Sequence, residues 1–590
     1  MTIKAEVEAE AEEPPSDRAV TSAPVRARVL VPLYLALAAV VTWPMPLHAG
    51  TSLNYGAEPV ATVPLFNLWT LRWNEIAIGD LFRHYWDAPL FHPTTGAFAL
   101  SEPQPLTGLV FAPLAYLGRN PVLALNLVLL AALTLNGIAG HRLARTLGAA
   151  AVPAAVTGGL AVTLPFVAAQ LGVLQLVMVF PLLLLIDAVL RWAPDGGRRR
   201  AVEIGLWLAV TFLTCGYYGL FAAVVVFPSA LVLMRRTWFS RARALDLAAA
   251  AGVFAILALP ILGPQARITS DYHRSAETIE SLSADTADFL RLPEGSAGSH
   301  LVPWVQDPLD GHALYPGTVL VVLAIAGTVV AARRAAADPT ATDRNRQTTF
   351  LLVGVMLAHL LSLGLNLNLG GWQPYQLVRR FVPGFESLRS PFRADVLTQL
   401  FAVALASYAL DAAWRWLRAP GRAERIPQGV ALGLAAGIVV LALAETGVTP
   451  GRLHRVDTAT PDWAAYLDDH PLAADPAVLA FMPFPPDGRA GSYQDTVDDM
   501  LAVLDTGDTT VNGYSGLFPA TYDELEVAAR EYPDDRADAL LAQYGVDALV
   551  VDRDWLDENP AAASSLDAGY RLLHEGPETV IYLPLQPARP

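Results

Sequence analysis

The chain has 590 residues, 53% of them hydrophobic, and a mean hydropathy of +0.38, which excludes an ordinary soluble protein and puts most of the sequence in a bilayer. One cysteine, Cys215, excludes an intrachain disulfide framework and cysteine-based zinc sites; inside an apolar run it reads as a small buried hydrophobe. Net charge is −16, yet residues 447–590 alone hold 26 acidic side chains against 8 arginines, so the acid belongs to one end and the remainder is near neutral.

Residues 1–25 are rich in Glu, Ala and Pro and read as a disordered acidic cytoplasmic tail. The first apolar run, 29–47, lacks a small-residue cleavage site and continues into further runs, so it is a retained helix. A segment at 52–106 follows, too long and polar for a turn between helices and dense in aromatic and acidic side chains; long connections of this kind tend to be functional. Apolar runs then recur at 121–140, 150–167, 174–190, 202–215, 218–233, 245–262, 315–332, 348–365, 396–414 and 430–445, giving about eleven spans in all. Arginine clusters flank alternate runs: Arg26 and Arg28, Arg142 and Arg145, Arg198 to Arg200, Arg235 and Arg236, Arg333 and Arg334, then Arg415, Arg418 and Arg422. All fall on one side if 105–117 is a re-entrant or interfacial segment, and basic loops mark the cytoplasm. The expected architecture is an all-α polytopic membrane bundle spanning 26–446, with outer loops 52–117, 263–314 and 366–393 and an extracytoplasmic α/β domain at 447–590. The amino terminus is then cytoplasmic, in the plasma membrane.

In the carboxyl-terminal part, 477–481, 547–551 and 579–583 have strand character, Asn512-Gly513 is a turn signal, and 522–544 has helical spacing. Its carboxylates, among them Asp498, Asp499, Asp534 and Asp535, suit a solvated surface, and no calcium-loop pattern is present.

Soluble-enzyme fingerprints are missing: the chain has no Walker loop, no dinucleotide fingerprint, no nucleophile elbow and no zincin motif. Lys4 is the only lysine, so Schiff-base chemistry is excluded. Several short stretches do form an ordered set: Pro64-Leu65-Phe66-Asn67-Leu68-Trp69 with Trp73, Phe91-His92-Pro93 with Gly96, Ser101-Glu102, Asn120-Pro121 with Asn126, and Gln170 through Gln175. Gly216-Tyr217-Tyr218-Gly219, Ser283-Ala284-Asp285 with Phe289, Leu388 through Arg393, and Tyr544-Gly545-Val546 complete it. With the topology, they make the chain resemble the glycosyltransferase-C superfamily of bacterial multi-pass transferases, of mannosyl- or arabinosyl-transferase type.

The resemblance implies a membrane glycosyltransferase that moves a sugar from a polyprenyl-phosphate donor to an extracytoplasmic glycan, lipid or protein acceptor, with inversion. Its partners would be membrane lipid, donor and acceptor, with no nucleic acid. No nucleotide cofactor is implied and no metal ligand is assigned, though a divalent metal stays open. Inverting transfer needs one carboxylate to take the acceptor proton, and cationic groups, best an Arg fork, to meet the leaving phosphate. The implied phosphate ligands are Arg389 and Arg393. Related sequences carry an acid where this chain has Val63, and the nearest acid is Glu58, which becomes the expected base; they also tend to carry His where Val173 stands. Glu102, Gln170 and Gln175 are expected to line the substrate site, a polar amide beside the membrane being costly unless it meets a wet cavity.

Plainer readings accompany each. Glu58 sits among turn residues, and Glu102 suits a helix cap. Asp80 and Asp87 suit caps, His84 and His92 structural roles, and Trp69, Trp73 and Trp86 an interfacial belt. Two other classes remain: a lipid-linked sugar flippase, which would normally show internal repeats not seen here, and a non-catalytic cell-envelope assembly protein, which would explain Val63.

Overall fold

The computed structural model describes residues 27–292, 296, 298, 312–338, 340, 342–447 and 451–585. The acidic tail expected to be disordered lies outside the described residues, as does part of the loop 263–314. Among the described residues eight helices are long and apolar enough to cross a bilayer: Pro121–Thr146, Ala151–Ala169, Leu174–Asp195, Gly216–Leu233, Arg241–Ile268, Thr318–Ala337, Pro391–Leu417 and Gln428–Glu445. The expected eleven is therefore not reached. The runs at 29–47 and 202–215 fall on Ala27–Val41 and Arg198–Thr214, of 15 and 17 residues, and the run at 348–365 on Thr342–Ser362, whose first turns are charged. The segment 105–117 is a helix, Pro105–Gly118, of 14 residues, which is short for a crossing.

Two of the eight spans are broken, and buried amides repair the breaks. Pro165 offers no backbone N–H, so Ala151–Val162 stops before the short helix Pro165–Ala169, and the exposed Phe166 N–H donates to Gln399 Oε1 at 3.1 Å. Between Leu174–Val177 and Phe180–Asp195, Asn136 accepts from Phe180 N–H and donates to the Val177 carbonyl, both at 2.8 Å. Without water, unmet backbone groups cost several kcal/mol each, so these fully buried amides allow non-helical chain within the bundle. The turn at 169–174, between the breaks, is what positions the candidate site.

A two-stranded antiparallel ribbon joins β1 (Ser52–Asn54) to β2 (Leu453–Arg455), tying the first long loop to the chain after the last span. The carboxyl-terminal region is a five-stranded mixed sheet made of β3 (Val478–Met482), β4 (Thr509–Thr510), β5 (Ala548–Asp552), β6 (Tyr570–Glu575) and β7 (Thr579–Pro584), in the order β4-β3-β5-β7-β6. β3 is buried along its whole length and parallel to β4 and β5, as its uninterrupted apolar run requires, while β7 runs antiparallel to β5 and β6. The helix expected at 522–544 is two, Ala520–Ala529 and Asp535–Gln543, because Pro533 falls between them. Asn512-Gly513 is no hairpin turn: Asn512 leaves the edge of the sheet and pins itself to Phe481 with bonds of 2.8 and 2.9 Å to that residue's N–H and carbonyl.

Candidate active site

Glu58 lies on a short loop held from two sides. Below it, Gly56 N–H donates to Asn54 Oδ1 at 2.9 Å and Ala57 N–H to the Ala169 carbonyl at 2.9 Å. Gly56 has φ +54, and a Cβ there would stand 2.6 Å from the Ala169 oxygen; a Cβ on Gly172 would stand 2.7 Å from the Tyr55 oxygen. Only glycine at both places lets the loop rest on the 169–172 turn. On the other side Arg452, just before β2, donates to the carbonyls of Glu58 and Gly56 while its guanidinium stacks 4.7 Å from the Tyr55 ring centre.

The half-buried carboxylate of Glu58 faces guanidiniums. Burial pushes its pKa above the ordinary glutamate value, and the charges of Arg393, Arg389 and Arg452 pull back without cancelling the rise. Tyr217, Tyr514 and Glu58 lie near enough to Arg389 to act on its charge. Burial would lower its pKa, but those two phenols and Glu58 together hold it above the usual arginine value. Arg393 packs its guanidinium over the Tyr217 ring, 4.8 Å from the centre. Arg274 is close enough for its charge to oppose that of Arg389; burial first and then Arg389 push its pKa down to about 10.

A second layer adjoins this one. Glu102 Oε1 accepts from Tyr217 N–H at 3.2 Å and lies 3.9 Å from Cys215 Sγ; burial raises its pKa against the charge of Arg393 and the bond from Tyr217. Gln104 donates from Nε2 to Asn67 Oδ1 at 2.9 Å and to Gln175 Oε1 at 3.3 Å. Asn67 in turn donates to the Val63 carbonyl at 3.0 Å, which fixes the sense of the whole amide chain. Buried polar atoms left without a partner gather here: Glu102 Oε2, Gln104 Oε1, Arg393 Nε and Arg274 Nε. Each such atom is costly, and four around one cluster mark a place built to meet a ligand.

Of the residues expected at the site, Glu58, Glu102, Gln175, Arg389 and Arg393 are thus brought together, and Gln170 is not. Gln170 ends the helix Pro165–Ala169 through its backbone, and its side chain enters none of these bonds. Glu102 does not cap the helix after it; the cap position is Gln104, in left-handed conformation at φ 47 with no side-chain cap bond. The tryptophans do not form an interfacial belt either. Trp69 is buried, donating at 3.1 Å to the Met500 carbonyl of the helix Gln494–Thr506, which packs on Thr62–Gly79, and Trp73 donates to the Tyr85 carbonyl at 2.9 Å within its own loop. Arg274, Arg452, Asn67, Gln104 and Tyr514 were missed. Arg274 and Arg452 carry the signal that singled out Arg389, a basic residue on the side where basic residues are disfavoured; Gln104 and Tyr514 carry none.

Among the described residues no three His, Cys, Asp or Glu side chains gather to hold a metal ion. Glu58 is surrounded by arginines, and this donor set does not suit a divalent cation.

The helical bundle with its carboxyl-terminal sheet shares its overall fold with solved membrane-protein structures. It superposes on the arabinofuranosyltransferase AftD from mycobacteria with a TM-score of 0.60 and 15% identity, covering 96% of this chain and 40% of that one. It also superposes on the archaeal oligosaccharyltransferase AglB from Archaeoglobus fulgidus with a TM-score of 0.50 and 12% identity, covering 95% and 74%. This chain therefore spans about two fifths of the length of AftD. No curated protein sequence matches it. Residues 82–441 match the family described as Domain of unknown function (DUF6311), and the chain belongs to that family.

Proposed function

We propose that this protein is a membrane glycosyltransferase that moves a sugar from a polyprenyl-phosphate donor to an acceptor hydroxyl with inversion, at the end of the bundle facing away from the cytoplasm. The observation that supports this most is the facing of Glu58 by Arg389 and Arg393 in a fold shared with such transferases. AglB was captured with a dolichol-phosphate, a lipid of the same chemical class as the proposed donor.

In this reading the acceptor oxygen attacks the anomeric carbon, Glu58 takes its proton, and the bond from that carbon to the phosphate oxygen breaks with its electron pair leaving on the phosphate. Arg389 and Arg393 receive the charge that develops there. Burial raises the pKa of Glu58 toward neutrality, which makes it a stronger base than a solvated glutamate. Glu102 and Gln104 hold the sugar hydroxyls with the oxygens they leave unmet, and Gln175 orients Gln104.

The test is transfer from a panel of radiolabelled polyprenyl-phosphate sugars by the purified full-length protein and its Glu58→Gln variant. Transfer by the wild type, lost in the variant, is expected. A wild type inert toward every donor would favour a non-catalytic envelope protein, the reading that Val63 in place of an acid suggests.

A further inference from the structure

The chain that leaves the last span, Gln428–Glu445, comes back across the loop that carries Glu58. Gly451 N–H donates to the Trp43 carbonyl at 2.8 Å, β2 then pairs with β1 so that Leu453 faces Asn54 and Arg455 faces Ser52, and Val456 N–H donates to the Thr51 carbonyl at 3.0 Å. Space along this strap is tight: a Cβ on Gly451 would stand 2.9 Å from Asn54 Nδ2 and 3.1 Å from the Trp43 oxygen. Beyond β1 the chain turns sharply, Glu58 N–H donating to the Tyr55 carbonyl at 2.9 Å. The turn presents the carbonyls of Gly56 and Glu58 to one nitrogen, Nη2 of Arg452, at 3.2 and 2.5 Å. The same guanidinium lies over the Tyr55 ring, 4.7 Å from its centre. One side chain therefore grips Tyr55, Gly56 and Glu58 together.

We propose that Arg452 is a positioning residue for Glu58: by closing the turn 55–58 from outside, it fixes the backbone from which the carboxylate reaches the acceptor. Arginine suits the task because one of its nitrogens can donate two bonds while its flat face stacks on an aromatic ring. A general base must come within about 2.6–3.2 Å of the group whose proton it takes, and a misplacement of about 1 Å can cost about 10²-fold in rate. The inner side of the turn keeps its own tie, the 2.9 Å bond from Ala57 N–H to the Ala169 carbonyl, so loss of Arg452 loosens the turn without releasing it. Arg452 is itself exposed, so no core packing depends on it. The inference rests on reading Glu58 as the base of a sugar transfer.

The experiment measures single-turnover transfer from the radiolabelled polyprenyl-phosphate sugars, farnesyl phosphate affinity and the thermal midpoint. It compares full-length wild type, Arg452→Met, Arg452→Lys, Glu58→Gln, and Arg452→Met combined with Glu58→Gln. Arg452→Met should transfer about 10²-fold more slowly, with farnesyl phosphate affinity and midpoint close to those of the wild type. Arg452→Lys, whose ammonium can still donate to both carbonyls, should recover about tenfold of that loss. In the Glu58→Gln background Arg452→Met should cost less than about twofold, because it acts through Glu58. Wild-type transfer by Arg452→Met overturns the proposal, and so does a loss that persists in full without Glu58. A fall in farnesyl phosphate affinity would make Arg452 a direct ligand, and a midpoint that falls with the rate would make it a structural brace; either result overturns the proposal. A wild type inert toward every donor overturns the transferase reading itself, and this inference with it.

Discussion

Two charged clusters adjoin the broken span Leu174–Asp195, and they are built differently. Near residue 187 of Phe180–Asp195, the fully buried carboxylate of Asp187 accepts from Arg142 at 2.8 Å, Arg191 at 2.9 Å and Thr146 at 2.5 Å, and Glu203 takes a further bond from Arg191. Two arginines meet two acids, and none of the buried side-chain atoms of these residues lacks a partner. The other cluster, near the start of that span, sets Arg389, Arg393 and Arg452 around Glu58, with Arg274 near Arg389, Glu102 near Arg393 and four buried polar atoms unmet. The closed network braces the bundle. The open one carries surplus positive charge and orphaned atoms, the condition of a site awaiting an anion.

Variants should separate the two. Glu58→Gln should cut sugar transfer by about 10³-fold while leaving the thermal midpoint unchanged or slightly higher, since removing a general base costs 10²–10⁴. The sign for stability follows from the raised pKa: a folded state that disfavours the charged form loses nothing at neutral pH when the charge is removed. Asp187→Ala should do the reverse. It removes the buried acceptor of Arg142 and Arg191, which keep Glu203, costs about 1–3 kcal/mol in denaturation measurements, and leaves farnesyl phosphate affinity of the folded fraction intact.

Arg389→Gln should lower farnesyl phosphate affinity by about tenfold and shift the acid limb of the pH–rate profile upward. Glu58 must be ionised to act, so activity falls as pH drops through its raised pKa. Removing a neighbouring positive charge raises that pKa further and moves the loss to higher pH. An acid limb that stays put would detach Glu58 from Arg389. Smallest is Trp69→Phe, which forfeits the bond to the Met500 carbonyl for about 1 kcal/mol of stability at the seam between bundle and sheet.

Part of this was legible in the sequence. Apolar runs located the helices, and Arg389 and Arg393 stood out because basic residues are uncommon on the outer side of a membrane protein. The buried strands at 477–481, 547–551 and 579–583 were readable within a residue or so, since each is a short apolar run bounded by turn or acidic residues. Hydropathy could not say which runs break: Pro165 signals a stop, but the repair by Gln399 depends on a residue 233 positions away. The count of about eleven spans is not confirmed either, since Thr342–Ser362, with its polar start, falls outside the eight apolar helices. Nor could composition show that Trp69 lies under the helix Gln494–Thr506, or that Gln104 adopts a left-handed backbone. Those follow from tertiary packing, to which local pattern is blind. Gln170, an amide near a span end that suggested a site residue, ends the helix Pro165–Ala169 through its backbone.

The most direct test of the central claim compares Glu58→Gln with the wild type in two measurements on one preparation, donor affinity and single-turnover transfer. The account predicts an unchanged dissociation constant for the polyprenyl-phosphate sugar and a transfer rate lower by about 10³-fold. Transfer at the wild-type rate by the variant would contradict it, because the carboxylate among the arginines would then not be the base.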